Sequence, residues 1–205
     1  TLNFIFNQFT KVLNIAHENL KEECKTEISY IIANVNKYNT IQNLRTNGKI
    51  PKRVCHNDSK ISNILFNKKD KAICMIDLDT IMFGTILTDF SDSVRTICVT
   101  KSEEESNLTK VNFKIDYFKK FTKAYLNINS KNLNSFEIEN LVFSVELIFI
   151  EQGIRFLSDY LSDNKYYKIT YATQNLVRAR NQLHLSKQVN KHTEKMNKII
   201  KDYFN

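Results

Sequence analysis

The sequence predicts an α+β protein that is predominantly helical and carries one small β-hairpin. Only three glycines and one proline occur in 205 residues, which favours long helices over frequent turns. Apolar residues recur at helical spacing along most of the chain. The exception follows residue 50, where two short β-favouring runs flank a polar segment. A chain of this length can bury one substantial core, so we expect residues 1–205 to form a single domain or lobe.

The first 50 residues are interpreted as leading helices. Two sets of apolar residues follow the helical period: Phe9, Val12, Leu13, Ala16 and Leu20, then Ile28, Ile31, Ile32, Val35 and Tyr38. Gly48 and Pro51 close this region, because glycine suits a helix C-terminus and proline cannot continue a helix.

The hairpin is predicted from Ile64–Phe66 and Ala72–Ile76, which are short apolar runs joined by polar residues 67–71. Beyond Gly84 the helical spacing returns. It predicts separate helices marked by Phe113–Tyr125, Leu141–Phe156, Leu176–Leu183 and Met196–Phe204.

The chain is basic, with a net charge of +8 that is concentrated toward its C-terminal end. The excess includes five lysines: Lys187, Lys191, Lys195, Lys198 and Lys201. They are spaced along a predicted helix without interleaved aromatic residues. A solvated helical face is therefore a better interpretation than a nucleic-acid site.

Cysteine spacing and hydropathy exclude several other classes of protein. The four cysteines match no zinc or C-x-x-C pattern, which is typical of reduced thiols in a cytoplasmic protein. No uncharged apolar run approaches the roughly 20 residues that cross a bilayer, and no signal peptide is recognisable. We expect a cytoplasmic protein that binds neither membranes nor nucleic acid.

One constellation of residues indicates chemistry. His56, Asp58 and Asn63 have the H-x-D-x-x-x-x-N spacing of a kinase catalytic loop, and Asp77 follows the second predicted strand. Antiparallel pairing of the two strands would bring Asn63 and Asp77 together. An amide oxygen beside a carboxylate suits Mg²⁺ carrying nucleotide phosphates. Asp58 would then be placed to accept a proton from an attacking hydroxyl.

Each of these residues also has a structural interpretation. A lone Asp–Asn pair near a loop commonly forms an Asx turn or a helix cap. His56 is more readily a loop-stabilising residue than a base. The joint pattern, with a hairpin of suitable length between its halves, is far more specific than any single residue and favours phosphoryl transfer.

The segment Val54–Arg95 resembles the aminoglycoside phosphotransferase and choline kinase superfamily, and is most similar to its N-acetylhexosamine 1-kinase branch. The resemblance is carried by the motifs at His56–Leu65, Ile76–Gly84 and Asp89–Arg95, and by a second block at Glu151–Leu161. It implies the C-terminal lobe of a protein-kinase-like fold, with ATP as co-substrate.

The resemblance also implies roles for individual residues. Asp58 would be the catalytic base, while Asn63 and Asp77 would hold Mg²⁺. Asp58 and Asp77 would also approach the sugar, which Arg155 and Tyr166 would bind. His56, Asp89 and Arg95 would support the loop, the last two by tying the next helix beneath it. Taken alone, Arg155 is better interpreted as the partner of Glu151 in a salt bridge, and Tyr166 as a surface or core residue.

The resemblance divides the lobe into leading helices (1–50), a catalytic loop with its metal hairpin (51–85) and a helical substrate-binding part (86–205). Gly48 is the only glycine before Pro51, so no phosphate-binding loop can be built there, and we expect the N-terminal nucleotide lobe to be missing. The intact enzyme would phosphorylate an N-acetylhexosamine, and this chain alone would be largely inactive. There are two alternatives. The acceptor could instead be an aminoglycoside, choline or another small alcohol, or the chain could be a non-catalytic binding remnant of such a kinase.

Overall fold

Helices dominate the computed structural model, which describes residues 2–205. The eight α-helices in these residues are α1 (Leu2–Ile15), α2 (Glu18–Glu23), α3 (Lys25–Ala33), α4 (Thr40–Thr46), α5 (Ile86–Ile97), α6 (Ile115–Asn129), α7 (Ser135–Leu161) and α8 (Gln174–Phe204). Short 3₁₀ turns lie at Val35–Lys37, Ile61–Asn63, Leu78–Thr80, Leu108–Lys110 and Ser130–Asn132. The predominantly helical α+β class predicted from the sequence is confirmed.

Four short strands form two separate antiparallel pairs rather than one hairpin. They are β1 (Arg53–Cys55), β2 (Ile64–Phe66), β3 (Ala72–Met75) and β4 (Met82–Gly84). The predicted hairpin is β2–β3, and a second pair, β1–β4, encloses it in the chain. The sequence prediction omitted β1 and β4, because Arg53 in β1 and Gly84 in β4 interrupt the kind of continuous apolar run that indicated β2.

The long helix α7 forms the centre of the molecule. Its start is fixed by a capping box, in which the Asn134 side chain accepts the Glu137 backbone N–H at 2.9 Å. The Glu137 carboxylate accepts the Asn134 backbone N–H in return, also at 2.9 Å. Along the remaining helix most side chains are buried, because α1, α5 and α8 pack around it.

Helix α8 runs without interruption through Gln174–Phe204, where the sequence predicted two helices. No glycine or proline occurs within it, so nothing in the backbone requires a break between Leu183 and Met196. Gly153 of α7 packs against Leu183, whose Cδ2 would lie 2.6 Å from an added Cβ. The absent side chain therefore allows the two longest helices to approach closely.

The hydrophobic core consists of two clusters that share α7 and α8. One contains mainly side chains of α5 to α8, with Phe90, Phe118, Phe149 and Met196 among its buried members. The other joins the leading helices to α7 and α8, with Phe9, Ile31, Ile154 and Leu183. Both helices are therefore held on two sides, which gives the site a rigid base.

Three predicted helix boundaries differ from the structure. The second leading helix, predicted through Tyr38, ends at Ala33, and Val35 begins a 3₁₀ turn. The first leading helix ends at Ile15, and Leu20 belongs to the separate helix α2. Phe113 precedes α6 and forms an isolated β-bridge with Val99. Among residues 2–205, no helix combines the length and hydropathy required to span a membrane.

Candidate active site

The two strand pairs bring distant parts of the candidate site together. In the outer pair, Cys55 lies opposite Met82, so residues 56–81 begin and end at neighbouring points. In the inner pair, Ile64 lies opposite Met75, and the Ile76 backbone N–H donates to the Asn63 carbonyl at 2.9 Å. The segments before β2 and after β3, which carry the catalytic-loop motif and Asp77, are therefore adjacent.

Asp89, in the first turn of α5, holds the start of this loop. Its carboxylate accepts the backbone N–H of His56 at 2.8 Å and that of Asn57 at 2.7 Å. Its backbone carbonyl accepts the Ser59 hydroxyl at 2.7 Å. Asn57 has a positive φ of 62°, a conformation that asparagine tolerates better than most residues. These bonds fix the direction in which the chain enters Asp58.

His56 faces the interior of the loop rather than the cleft. It is buried, and its Nε2 lies 3.1 Å from the Ile76 carbonyl oxygen. The His56 carbonyl accepts the Thr80 hydroxyl at 2.6 Å. The residue thus connects the loop to the segments on both sides of Asp77, which is the kind of contact that a loop-stabilising role requires.

The Asn63 side-chain amide lies between the two candidate carboxylates. Its Nδ2 donates to Asp58 Oδ2 at 2.8 Å and to the Asp58 carbonyl at 2.9 Å, and lies 3.4 Å from Asp77 Oδ2. Within residues 2–205 its carbonyl oxygen Oδ1 accepts no hydrogen bond, so that oxygen is available to a ligand. The structure therefore brings Asp58, Asn63 and Asp77 together.

The Asn63 and Asp77 oxygens fit a magnesium ion that carries a nucleotide. Mg²⁺ usually binds one or two protein oxygens and completes its octahedron with waters and phosphate oxygens. Asp77 is solvent-exposed, which leaves room for those further ligands. Its backbone is left-handed, with φ 64° and ψ 53°, an uncommon conformation that occurs often at functional sites.

Lys60 is a candidate functional residue that the sequence analysis did not single out. Its Nζ lies 2.7 Å from Asp58 Oδ2, the same oxygen that accepts from Asn63. The Lys60 side chain is one-third exposed and lines the cleft described next. Its position two residues after Asp58 in the motif was the only sequence signal available.

An open cleft of about 1100 Å³ lies between the catalytic loop, α5, α7 and the segment before α8. Asp58 and Lys60 line one part of it, and Arg155 and Tyr166 also face it. The structure therefore places both predicted acceptor residues on the same cavity as the candidate base. Arg155 is bound to Glu151, with its NH2 3.0 Å from Oε1, while Tyr166 is 80% exposed.

Arg95 makes different contacts from those predicted. Its guanidinium binds Asp92 of the same helix at 2.8 Å and Glu103 at 3.4 Å, and none of its hydrogen bonds among the described residues reaches residues 56–63. It connects α5 to the segment after it and lines the cleft. Other residues of α5 tie this helix to the loop besides Asp89: the Ser93 hydroxyl donates to the Ser59 carbonyl at 3.0 Å, and the Thr96 hydroxyl accepts the Ile61 backbone N–H at 3.0 Å.

Of the three consecutive glutamates Glu103–Glu105, Glu103 lines the cleft. Glu104 binds the Arg178 guanidinium and accepts the Gln174 side-chain N–H at 2.8 Å, which ties the segment after α5 to the start of α8. Burial raises the pKa of the neighbouring Glu103 carboxyl, although Arg95 and Arg178 act in the opposite direction. These contacts join residues about 70 positions apart, so no local pattern could reveal them.

A mainly helical chain in which the Asn63 amide lies between the Asp58 and Asp77 carboxylates, with Asp58 on the cleft, has features expected of a kinase-like phosphotransferase. A model of the phosphotransferase enzyme family matches residues 7–110, just over half of the chain. The chain therefore belongs to this family, whose kinases transfer phosphoryl groups to small molecules and generally use ATP and Mg²⁺. The matched region includes Asp58, Asn63 and Asp77 but ends before Arg155 and Tyr166.

Proposed function

We propose that this chain is the catalytic lobe of an ATP- and Mg²⁺-dependent sugar kinase with a protein-kinase-like fold. The γ-phosphoryl group would be transferred to the anomeric hydroxyl of an N-acetylhexosamine. The observation that carries the proposal is the Asn63 amide, which donates to Asp58 at 2.8 Å and lies 3.4 Å from Asp77. Phosphoryl transfer needs mainly positioning and charge neutralisation, and this cluster can supply both.

Asp58 is the base in this proposal. One of its oxygens, Oδ2, is occupied by Lys60 and Asn63, while Oδ1 has no partner among the described residues. The free oxygen can accept the proton of the sugar hydroxyl as that hydroxyl attacks phosphorus. The two donors on Oδ2 fix the orientation of the carboxylate plane.

Asn63 and Asp77 would hold the magnesium ion, which when bound neutralises charge on the nucleotide phosphates. Asn63 would contribute Oδ1, since its amide nitrogen already donates to the Asp58 carbonyl at 2.9 Å. Asp77 would contribute its exposed carboxylate and, from the same position, could approach the sugar. Lys60 adds a positive charge beside the reacting groups.

The charges of the cleft favour a neutral acceptor over a polycationic one. Six basic side chains line it, Lys60, Arg95, Lys101, Arg155, Lys168 and Arg178, against four acidic ones, Asp58, Asp92, Glu103 and Glu151. An aminoglycoside or choline would meet this net positive lining unfavourably. Arg155 and Tyr166 offer donors and an aromatic face instead, which suit the hydroxyl and acetamido groups of a sugar.

An exposed apolar face supports the expectation of a separate nucleotide-binding lobe. Phe83, Val54 and Ile73 are 71%, 69% and 65% exposed, and further large apolar side chains of the two strand pairs are exposed beside them, namely Leu65, Phe66, Met75, Leu78, Ile81 and Met82. Many exposed large apolar side chains in one stretch of the chain are typical of an interaction site. It borders Asp77, where a lobe that encloses ATP would pack.

The test is the Asp58→Asn substitution in the full-length gene product, assayed for ADP release with Mg²⁺-ATP and a panel of acceptors. We expect the unsubstituted protein to prefer N-acetylhexosamines, and the variant to lose about 10²–10⁴-fold in kcat. Asp70→Asn is the matched control, because Asp70 is exposed in the β2–β3 turn with a positive φ of 55° that asparagine also adopts. Unchanged turnover in Asp58→Asn would refute the mechanism. Sugar binding without turnover in the unsubstituted protein would indicate a non-catalytic binding protein.

A further inference from the structure

The segment 162–173, which joins α7 to α8, carries Tyr166 to the cleft. It contains no helix or strand, so its path depends on hydrogen bonds to the neighbouring helices rather than on a regular backbone ladder. The Tyr166 side chain is 80% exposed, and its ring contact is with Tyr167, at 4.8 Å between centroids. The side chain itself therefore provides little to hold Tyr166 in position, and its backbone must be held instead.

Asp159, near the C-terminal end of α7, supplies that attachment. Its Oδ1 accepts the Tyr166 backbone N–H at 2.8 Å, and its Oδ2 accepts the Tyr167 backbone N–H at 3.0 Å. The same Oδ2 accepts the Asn175 side-chain amide at 2.9 Å. Asp159 is 6% exposed, so these charge-assisted bonds are shielded from water.

Asn175 connects this attachment to both ends of the segment. It is fully buried in the first turn of α8, and its Nδ2 also donates to Asn164 Oδ1 at 2.9 Å. The side-chain oxygen Oδ1 of Asn175 accepts a hydrogen bond from the Arg178 guanidinium at 2.9 Å. The Asn164 backbone N–H in turn donates to the Asp159 carbonyl at 2.8 Å. One buried carboxylate thus joins α7, the segment and α8.

We propose that Asp159 is a positioning residue that fixes Tyr166 and Tyr167 in the acceptor part of the cleft. Asp159 does not line the cleft and acts through the backbone of the two tyrosines. The inference rests on the proposed function, because the role of Tyr166 as a sugar contact belongs to that proposal. It adds a determinant of acceptor binding that lies outside the cavity.

Asp159→Asn tests this role with little change in volume. Both carboxylate oxygens face N–H donors, so the amide NH₂ of asparagine would meet a donor in either orientation. We expect the KM for the sugar to rise about tenfold, with kcat and the KM for ATP within about twofold. Asp163→Asn is the matched control, because Asp163 is exposed, has a φ of 63° and makes no side-chain hydrogen bond among the described residues.

Limited trypsin digestion provides a second readout that does not depend on activity. Lys165 and Lys168 lie within the segment, on either side of the tyrosines. We expect faster cleavage at these two lysines in Asp159→Asn, with cleavage elsewhere unchanged. A loss of kcat at constant KM, or cleavage increased over the whole chain, would show a merely structural residue and overturn the proposal.

The two readouts separate this inference from the proposed function. If the unsubstituted protein phosphorylates no sugar, the proposed function fails, and the cleavage pattern alone decides whether Asp159 positions the segment. Should Asp159→Asn fail to fold, Asn175→Ser removes one donor to Asp159 and carries the same test. Unchanged cleavage at Lys165 and Lys168 in the folded variant would reject the positioning role.

Discussion

Gly84 and Asn57 pack so closely that a Cβ atom on Gly84 would lie 2.5 Å from Asn57 Oδ1. Asn57 Nδ2 donates to the carbonyls of Cys55 and Thr80, both at 3.1 Å, and Asn57 directly precedes Asp58. The end of β4 and the candidate base are thus coupled through one asparagine side chain.

Gly84→Ala is therefore expected to disturb the site as well as the fold. The added methyl group must displace Asn57, which should lower the free energy of unfolding by about 1–3 kcal/mol and reduce kcat. Urea unfolding and the ADP-release assay measure the two effects. In a protein that already carries Asn57→Gly, Gly84→Ala should lower the free energy of unfolding by less, because the clashing side chain is gone. An equal loss of free energy in both proteins would show that the strain arises elsewhere.

The ion pair between Arg53 and Glu137 is expected to be important for stability. Arg53 Nε lies 2.7 Å from Glu137 Oε1, and the Glu137 side chain is fully buried. Arg53→Met would leave a buried carboxylate without its partner, at a cost of about 3–5 kcal/mol in urea unfolding. Lys198→Met is the control, because Lys198 and Asp202 are both exposed, and we expect less than about 0.5 kcal/mol. Similar costs for both substitutions would contradict this account.

The four cysteines are expected to differ strongly in reactivity. Burial raises the pKa of Cys24 and Cys98 to about 12 and that of Cys55 to about 11, whereas Cys74 is exposed. Iodoacetamide at about pH 8 should therefore modify Cys74 in the native protein and all four thiols after denaturation. Mass spectrometry of tryptic peptides identifies the modified residues. Native labelling of Cys98 before Cys74 would be inconsistent with the packing described.

We expect the stability of the fold to depend on pH because of the Glu103 carboxyl. Because burial raises its folded-state pKa, the folded protein holds this proton more tightly than the unfolded chain does. Its contribution to stability is full below the unfolded pKa and is lost as pH rises through the folded value. Glu103→Gln stays neutral, so we expect it to gain stability relative to the unsubstituted protein as pH rises from about 4 to about 7. Thermal unfolding of both proteins at several pH values tests this expectation. It would be wrong if Glu103→Gln gained stability relative to the unsubstituted protein as the pH fell.

The helical class and the catalytic cluster could be predicted from the sequence because both depend on local spacing. Helical periodicity identified the segments of α6 and α7, and strand pairing explained why Asn63 and Asp77 lie close together. The strands β1 and β4 were not predicted, since neither is a continuous apolar run like that of β2. The single helix α8 was divided in two because its apolar pattern weakens between Leu183 and Met196.

The long-range ion pairs could not be predicted from local patterns. Glu104 and Arg178 are 74 residues apart, and Arg53 and Glu137 are 84 residues apart. Such contacts depend on how the helices pack, which spacing within one segment does not determine. The attachment of Tyr166 through Asp159 is closer in sequence, but it involves backbone N–H groups, which every residue other than proline possesses.

The β1–β4 pair encloses residues 56–81 as one unit, and Asp89, Ser93 and Thr96 of α5 bind this unit to the helical body. Since adjacent strands lie about 4.8 Å apart, its two ends are held at nearly the same place. We expect that such a unit can be replaced as a whole if the new sequence retains the asparagine that contacts Gly84 and the groups that bind Asp89, Ser93 and Thr96. Arg155 and Tyr166, which belong to the proposed acceptor site, lie outside it and would stay unchanged by the replacement.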